Sequence, residues 1–289
     1  MNEYHGVSHE QIIEYAKSVL VPEPEAFGFL LNSVKCGRPL SLIRLGDGEA
    51  KLLGHPSCVS DDKISKQLEI WFGEKAFDPD DIKFLRRQLF SAIDGCDVIG
   101  LPSAERLQKK DENGNYSSDA INCAILWAEI IEKKGLCYFS NRVVVSANFH
   151  HWIQKSKAMK RVLINAKNIA LITHRLNLPH SFFTEFKFNS FSYLQVPGET
   201  WSRGGEISNH YPDRFKELSK YLISSSCVNT VFLVGAGLLG KLYAAMIKNS
   251  GGICIDMGAV LDGWNGVIPV ERGLLKNSEA AMTIEYLLS

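Results

Sequence analysis

VFLVGAGLLGKLYAAMIKNSGGICID, residues 231–256, decides the fold of this 289-residue chain. Residues 231–234 are an apolar, β-rich run, followed at once by Gly235, Gly237 and Gly240. A stretch of helical length then ends at Gly251 and Gly252, and residues 253–255 form a second apolar run closed by Asp256. Strand, helix and strand within 26 residues is a parallel βαβ unit. As a membrane span the stretch is too short and is interrupted by its glycines and Lys241.

The Gly-x-Gly-x-x-Gly spacing with an acid about 20 residues on is also the dinucleotide fingerprint. A glycine-fronted helix N-terminus offers unpaired N–H groups and the positive end of a dipole to a phosphate, so Gly235 and Gly237 are candidate binding residues. Taken alone, the unit reads as part of an NAD(P)-linked oxidoreductase. Its position argues otherwise. Only 33 residues follow Asp256, broken by Gly263, Gly266, Pro269 and Gly273, too few for the remaining strands of a dinucleotide half. Two readings stay open: glycines that let helix and strand pack closely, or glycines that approach another ligand.

Outward from this unit, strand and helix signals alternate. Ser8 and Gln11 form a capping box ahead of an apolar helical face that ends at Pro22, and a second helix runs to Gly37. Strands are expected at residues 41–45, 97–101, 143–147, 169–173 and 191–196, and helices at 79–93, 119–134 and 213–225. Residues 109–118 are polar and rich in Gly and Asn, a surface loop. The alternation predicts an α/β protein: an open, mainly parallel, Rossmann-like sheet with helices on both faces and an N-terminal helical cap. Neither a repeat nor a linker divides the chain, so one domain over 1–289 is expected, with the cap at 1–37, the core at 38–272 and a tail at 273–289.

Composition narrows the function. Lys plus Arg and Asp plus Glu number 32 each, which gives no field to attract nucleic acid, although a small phosphorylated ligand needs only a local cluster. The seven Cys are scattered, with no C-x-x-C pair and an odd total, the pattern of free thiols in a reducing compartment. The polar N-terminus does not resemble a secretory signal, so a cytoplasmic protein without a transmembrane segment is expected.

The chemistry gathers at SLIRLGDGEA, residues 41–50. A buried-looking strand breaks at Gly46, Asp47, Gly48 and Glu49, so two carboxylates two residues apart stand on a turn at a strand end. Oxygen ligands of this kind hold a hard divalent cation with open positions for diphosphate oxygens. Gly46 and Gly48 allow close backbone approach, and Arg44 adds a donor fork suited to phosphate. The bland reading is an ordinary surface turn.

The motif order resembles the GT-D-fold glycosyltransferases, the group once called the DUF1792 domain. The matching segments are residues 44–49 (RLGDGE), 171–175 (LITHR), 196–199 (VPGE), 234–243 (VGAGLLGKLY) and 256–266 (DMGAVLDGWNG). The resemblance implies that Asp47 and Glu49 hold a divalent metal, Mn2+ first and Mg2+ as the alternative, which binds the diphosphate of a nucleotide sugar. It also implies a UDP-sugar donor, a glycan or glycoconjugate acceptor and a place in polysaccharide biosynthesis. Leu45 stands where better-known members have Phe, and the D-x-W block is less like theirs.

Glycosyl transfer needs the leaving diphosphate neutralised while an acceptor hydroxyl loses its proton. Arg44 and Arg175 fall at strand ends, where an open α/β sheet collects its ligands. Asp262, beside Trp264, is the first candidate base, and Glu199 the second. His150 follows a strand and is a candidate for the nucleotide or the acceptor; of the adjacent His150 and His151, one at most is expected to face the site. The alternatives are the oxidoreductase and a non-catalytic sugar-phosphate-binding module. Whether configuration is inverted, and whether the chain forms a homo-oligomer, are left open.

Overall fold

The computed structural model describes residues 3–73, 77–175, 178, 180–199, 210–265 and 283–288. A two-stranded antiparallel hairpin, β1 (Glu3–Tyr4) and β2 (Val7–Ser8), precedes the main sheet. The sheet comprises β3 (Leu40–Arg44), β4 (Val98–Leu101), β5 (Val143–Ser146), β6 (Asn168–Thr173), β7 (Ser190–Gln195), β8 (Thr230–Gly235) and β9 (Ile253–Asp256). Its seven strands lie in the order β5-β4-β3-β9-β8-β6-β7, and every pairing is parallel. The expected open parallel sheet is thus observed, and the βαβ unit at residues 231–256 supplies two of its central strands.

Strands β3, β4, β6, β8 and β9 are buried on both faces, which is why they read as continuous apolar runs, whereas the edge strand β7 has no fully buried residue. Ile43, Ile99, Val144, Ile172 and Val234 enter one core; Leu42, Val98, Val145, Leu171 and Leu233 enter the other. The first core is covered by helices His9–Val19, Asp47–Leu53, Asp61–Phe72, Pro79–Gly95, Ser118–Lys134, Phe215–Ser224 and Gly237–Asn249. The second is covered by Glu23–Cys36, Phe149–Lys155, Ala158–Asn165 and Val260–Trp264. The two helices of the N-terminal cap therefore lie in opposite layers of the sandwich.

Local signals explain most boundaries. Ser8 caps the first helix and Gln11 returns the bond, as the capping box requires, and Gly37 ends the second helix in a left-handed conformation. Asp78 and Pro79 start the helix that runs to Gly95. One expectation changes. Residues 47–49 are not a bare turn but the first turn of helix Asp47–Leu53, and Glu49 is buried in it. Gly48 is a poor helix former, yet a Cβ there would lie 2.7 Å from the Trp71 ring, so close packing against helix Asp61–Phe72 dictates the glycine. The expected tail and the last motif residue, Gly266, fall mostly or wholly outside the described residues. All seven cysteines are free, and no helix among the described residues is long and apolar enough to cross a membrane.

Candidate active site

Because all strands of the main sheet are parallel, their carboxyl ends share one edge, and each strand leads there into a segment that lines one cleft of about 560 Å³. The lining includes Arg44 to Glu49 after β3, Arg106 after β4, Ala147, Asn148, His150 and His151 after β5 and His174 after β6. It continues with Pro197 to Glu199 after β7, Gly235 to Leu238 with Lys241 after β8, and Asp256, Gly258, Ala259 and Asp262 at the end of β9. Two helices, Asp47–Leu53 and Gly237–Asn249, begin at this cleft with their N-terminal ends toward it.

The deep part of the cleft is an internal ion network. Asp256 is buried and receives Arg44 Nη2 at 3.0 Å and Lys241 Nζ at 3.3 Å. Lys241 also reaches Glu49 Oε1 at 3.2 Å and donates to the Gly237 carbonyl at 3.0 Å. Burial acts against the charge of both Asp256 and Lys241, but their opposite partners outweigh it: the carboxyl is held below its usual range and the ammonium above its own. Arg44 donates Nε to the Asp256 carbonyl at 3.0 Å, and Nη1 to the Ala147 carbonyl at 3.3 Å and toward the His150 ring. The guanidinium that the sequence offers to a phosphate is engaged within the floor. Gly258 is why it fits: a Cβ there would stand 2.1 Å from Arg44 Nη2, and its φ of +47° favours glycine.

The entrance is different. Asp47 is 51 % exposed and lies 3.7 Å from Lys51 Nζ and 3.9 Å from Arg106 Nη2. Arg106 makes a two-pronged bond to Asp119. Glu49, whose side chain is only 10 % exposed, points inward, with Oε2 accepting from the Gly46 N–H at 2.9 Å and Oε1 facing Lys241. Positions two apart in a helix point to different sides. The two acids of the D-x-E pair thus diverge: Asp47 keeps its oxygens at the cleft, with Lys51 and Arg106 nearby, whereas Glu49 is already held by Lys241 and the Gly46 N–H.

The glycines of the fingerprint divide the two readings left open. A Cβ on Gly240 would meet Val234 at 3.1 Å, which is helix-to-strand packing. Gly237, with φ +55°, faces the cleft, where a Cβ would stand 3.0 Å from Glu199 Oε1 and 3.8 Å from Trp71. Gly235 lies against the Gly258 carbonyl and Leu261. Asp256, the acid that a dinucleotide ribose would require, has both oxygens engaged by Arg44 and Lys241, which disfavours the oxidoreductase reading.

The remaining candidates sit around the same space. Asp262 is buried and accepts from Arg175 Nε at 3.0 Å, with His174 Nε2 3.6 Å away. Arg175 stands behind the lining and His174 takes the lining position beside it. His150 and His151 both line the cleft, with ring centroids 3.8 Å apart, against the expectation that one at most would. They open a helix whose first turn faces the cleft, and positions one apart diverge by only a fraction of a turn. Burial, then Arg44, holds His150 well below its ordinary value, and the same causes put His151 at about 4, so both rings are neutral at pH 7. The sequence reading assigned no role to Lys241, Lys51, Arg106 or His174. Lys241 stood in plain view after Gly240, but its pairing with Glu49, near the other end of the chain, leaves no local signal.

A family model described as a GT-D fold-like domain matches residues 23–264. The chain belongs to the GT-D-like family. Its fold is similar to a selenomethionine-substituted structure of domain of unknown function 1792, with a TM-score of 0.51 and 15% identity over 92% of this chain and 86% of that one. A structure reported as a new glycosyltransferase (DUF1792) from Streptococcus sanguinis is 16% identical, with a TM-score of 0.48 over 83% of this chain and 80% of that one. No curated protein matches the chain.

Proposed function

We propose that this GT-D-like domain is a glycosyltransferase that takes a sugar from a nucleotide-diphosphate donor, UDP-linked in the first instance, and passes it to a hydroxyl of a glycan or glycoconjugate. The observation that carries the reading is the entrance of the cleft. There two helix N-termini, Lys51 and Arg106 line the mouth of a cleft whose whole volume is about 560 Å³, suited to a nucleotide sugar.

Lys51, held by Gln67 at 2.9 Å, and Arg106, held by Asp119, both line the cleft and from there would stabilise the charge that grows on a diphosphate as the glycosidic bond breaks. A divalent cation, Mn2+ or Mg2+, would be held by Asp47 and would supply Lewis-acid charge to the same leaving group. Glu49 would act first through Lys241 and the Gly46 N–H, fixing the helix that presents Asp47. Asp262, oriented by Arg175, is the first candidate to take the acceptor proton in an inverting reaction, with Glu199 the second.

Calorimetric titration with UDP and GDP, with and without Mn2+, tests donor binding. Release of nucleoside diphosphate from a sugar nucleotide in the presence of acceptor tests turnover. Binding of neither nucleotide under any condition removes the proposal; binding without turnover on any acceptor leaves the sugar-phosphate-binding module in its place.

A further inference from the structure

Away from the cleft, three potential metal ligands from distant parts of the chain meet. His5 Nε2 lies 2.8 Å from Glu129 Oε1 and 3.7 Å from Cys58 Sγ, and the three ligand atoms all lie within 4.8 Å of one another. None of the three residues lines the cleft. We propose that His5, Cys58 and Glu129 form a soft-metal site, suited to Zn2+, that staples the N-terminal hairpin to the helical layer.

The geometry supports a shared ion. Tetrahedral Zn2+ bound at about 2.3 Å from sulfur and about 2.0 Å from nitrogen or oxygen sets S and N about 3.5 Å apart, and N and O about 3.3 Å apart. The observed sulfur-to-nitrogen separation of 3.7 Å is close to that, and the nitrogen-to-oxygen separation of 2.8 Å needs to open by only about 0.5 Å. A plain His–Glu pair has no use for a thiol beside the same nitrogen.

The carboxylate is also held as a ligand would be. Glu129 is buried in the otherwise apolar inner face of helix Ser118–Lys134. Ser57 Oγ donates to its Oε1 at 2.8 Å and Arg86 Nη2 to its Oε2 at 3.2 Å, the outer-shell bonds that orient a ligating carboxylate. His5 sits at φ +53°, a left-handed backbone uncommon for a residue with a side chain, and that turn aims its ring at Glu129. Two strands of two residues each are too little to hold such a hairpin by pairing alone. Three protein ligands leave a fourth position for water, and the Cys58 proton passes to solvent as the Zn–S bond forms.

The test uses the full chain stripped of metal with a chelator and titrated with Co2+, then Zn2+. A sulfur-to-cobalt charge-transfer band that saturates at one equivalent is expected, displaced by Zn2+, with a rise in melting temperature. Cys58→Ser should fold with unchanged circular dichroism, lose the band and lose the zinc-dependent rise. His5→Ala should weaken Zn2+ binding at least tenfold, and Ser57→Ala by about tenfold through the lost outer-shell bond. No band in the parent protein overturns the proposal, and so does a band that survives Cys58→Ser, which would trace to the exposed Cys36 or Cys137.

Discussion

The floor and the entrance of the cleft hold the same chemical groups in opposite states. In the floor, Lys241, Glu49 and Asp256 are buried, Arg44 is 15 % exposed, and the four close on one another at 3.0 to 3.3 Å. At the entrance, Asp47 is half exposed and its cations stand 3.7 and 3.9 Å away. Buried charges removed from water must keep their partners, whereas exposed ones exchange partners at little cost. The floor is therefore scaffolding and the entrance is where a ligand can compete. The D-x-E pair straddles the boundary, one acid on each side.

The sharpest way to break this division is to remove the cation of the floor. Lys241→Met leaves Glu49 and Asp256 short of a partner and should cost about 3 to 5 kcal/mol in urea unfolding; a loss below about 1 kcal/mol would erase the distinction. Asp47→Asn should do the reverse: stability within about 0.5 kcal/mol of the parent, with turnover down roughly 10²-fold in a diphosphate-release assay. Unchanged turnover would move the working acid elsewhere.

Acid should also tell the regions apart. His150 and His151 are neutral in the fold, held there by burial and by Arg44, so the unfolded chain binds their protons first as pH falls. Their contribution is whole above about pH 6.5 and declines below it, down through about 4 for His151. The melting temperature should accordingly drop by several degrees between pH 7.5 and 5; a flat profile would mean the rings are not enclosed. The smallest effects belong to the rim. Lys51→Ala should weaken UDP binding by about three- to tenfold and shift stability by less than about 1 kcal/mol, and Arg106→Ala should weaken UDP binding by a similar factor.

Much of this was legible in the sequence. Residues 231–256 gave both central strands, and capping at Ser8, Asp78 and Gly37 set three helix ends. Helix Asp47–Leu53 was hidden because its glycine-rich start has turn chemistry, and only Trp71 packing over Gly48 shows why it is helical. Asp256 and Arg44 were visible singly, but a pair 212 residues apart leaves no local signal, and neither does the insertion of Lys241 between Glu49 and Asp256. Strand ends could be named from sequence; which side chains would neutralise one another across them could not.

That long-range pairing also bears on how the molecule comes into being. β3 and β9 are neighbours in the sheet, yet one is among the first strands made and the other is the last among the described residues. While the chain emerges from a ribosome, Arg44 has no counter-ion until residue 256 is outside the exit tunnel, and contacts of such sequence separation form slowly. A nascent or clipped chain that stops short of Asp256 therefore exposes an unfilled sheet edge beside an unmatched cation, a species for chaperones or proteases to recognise.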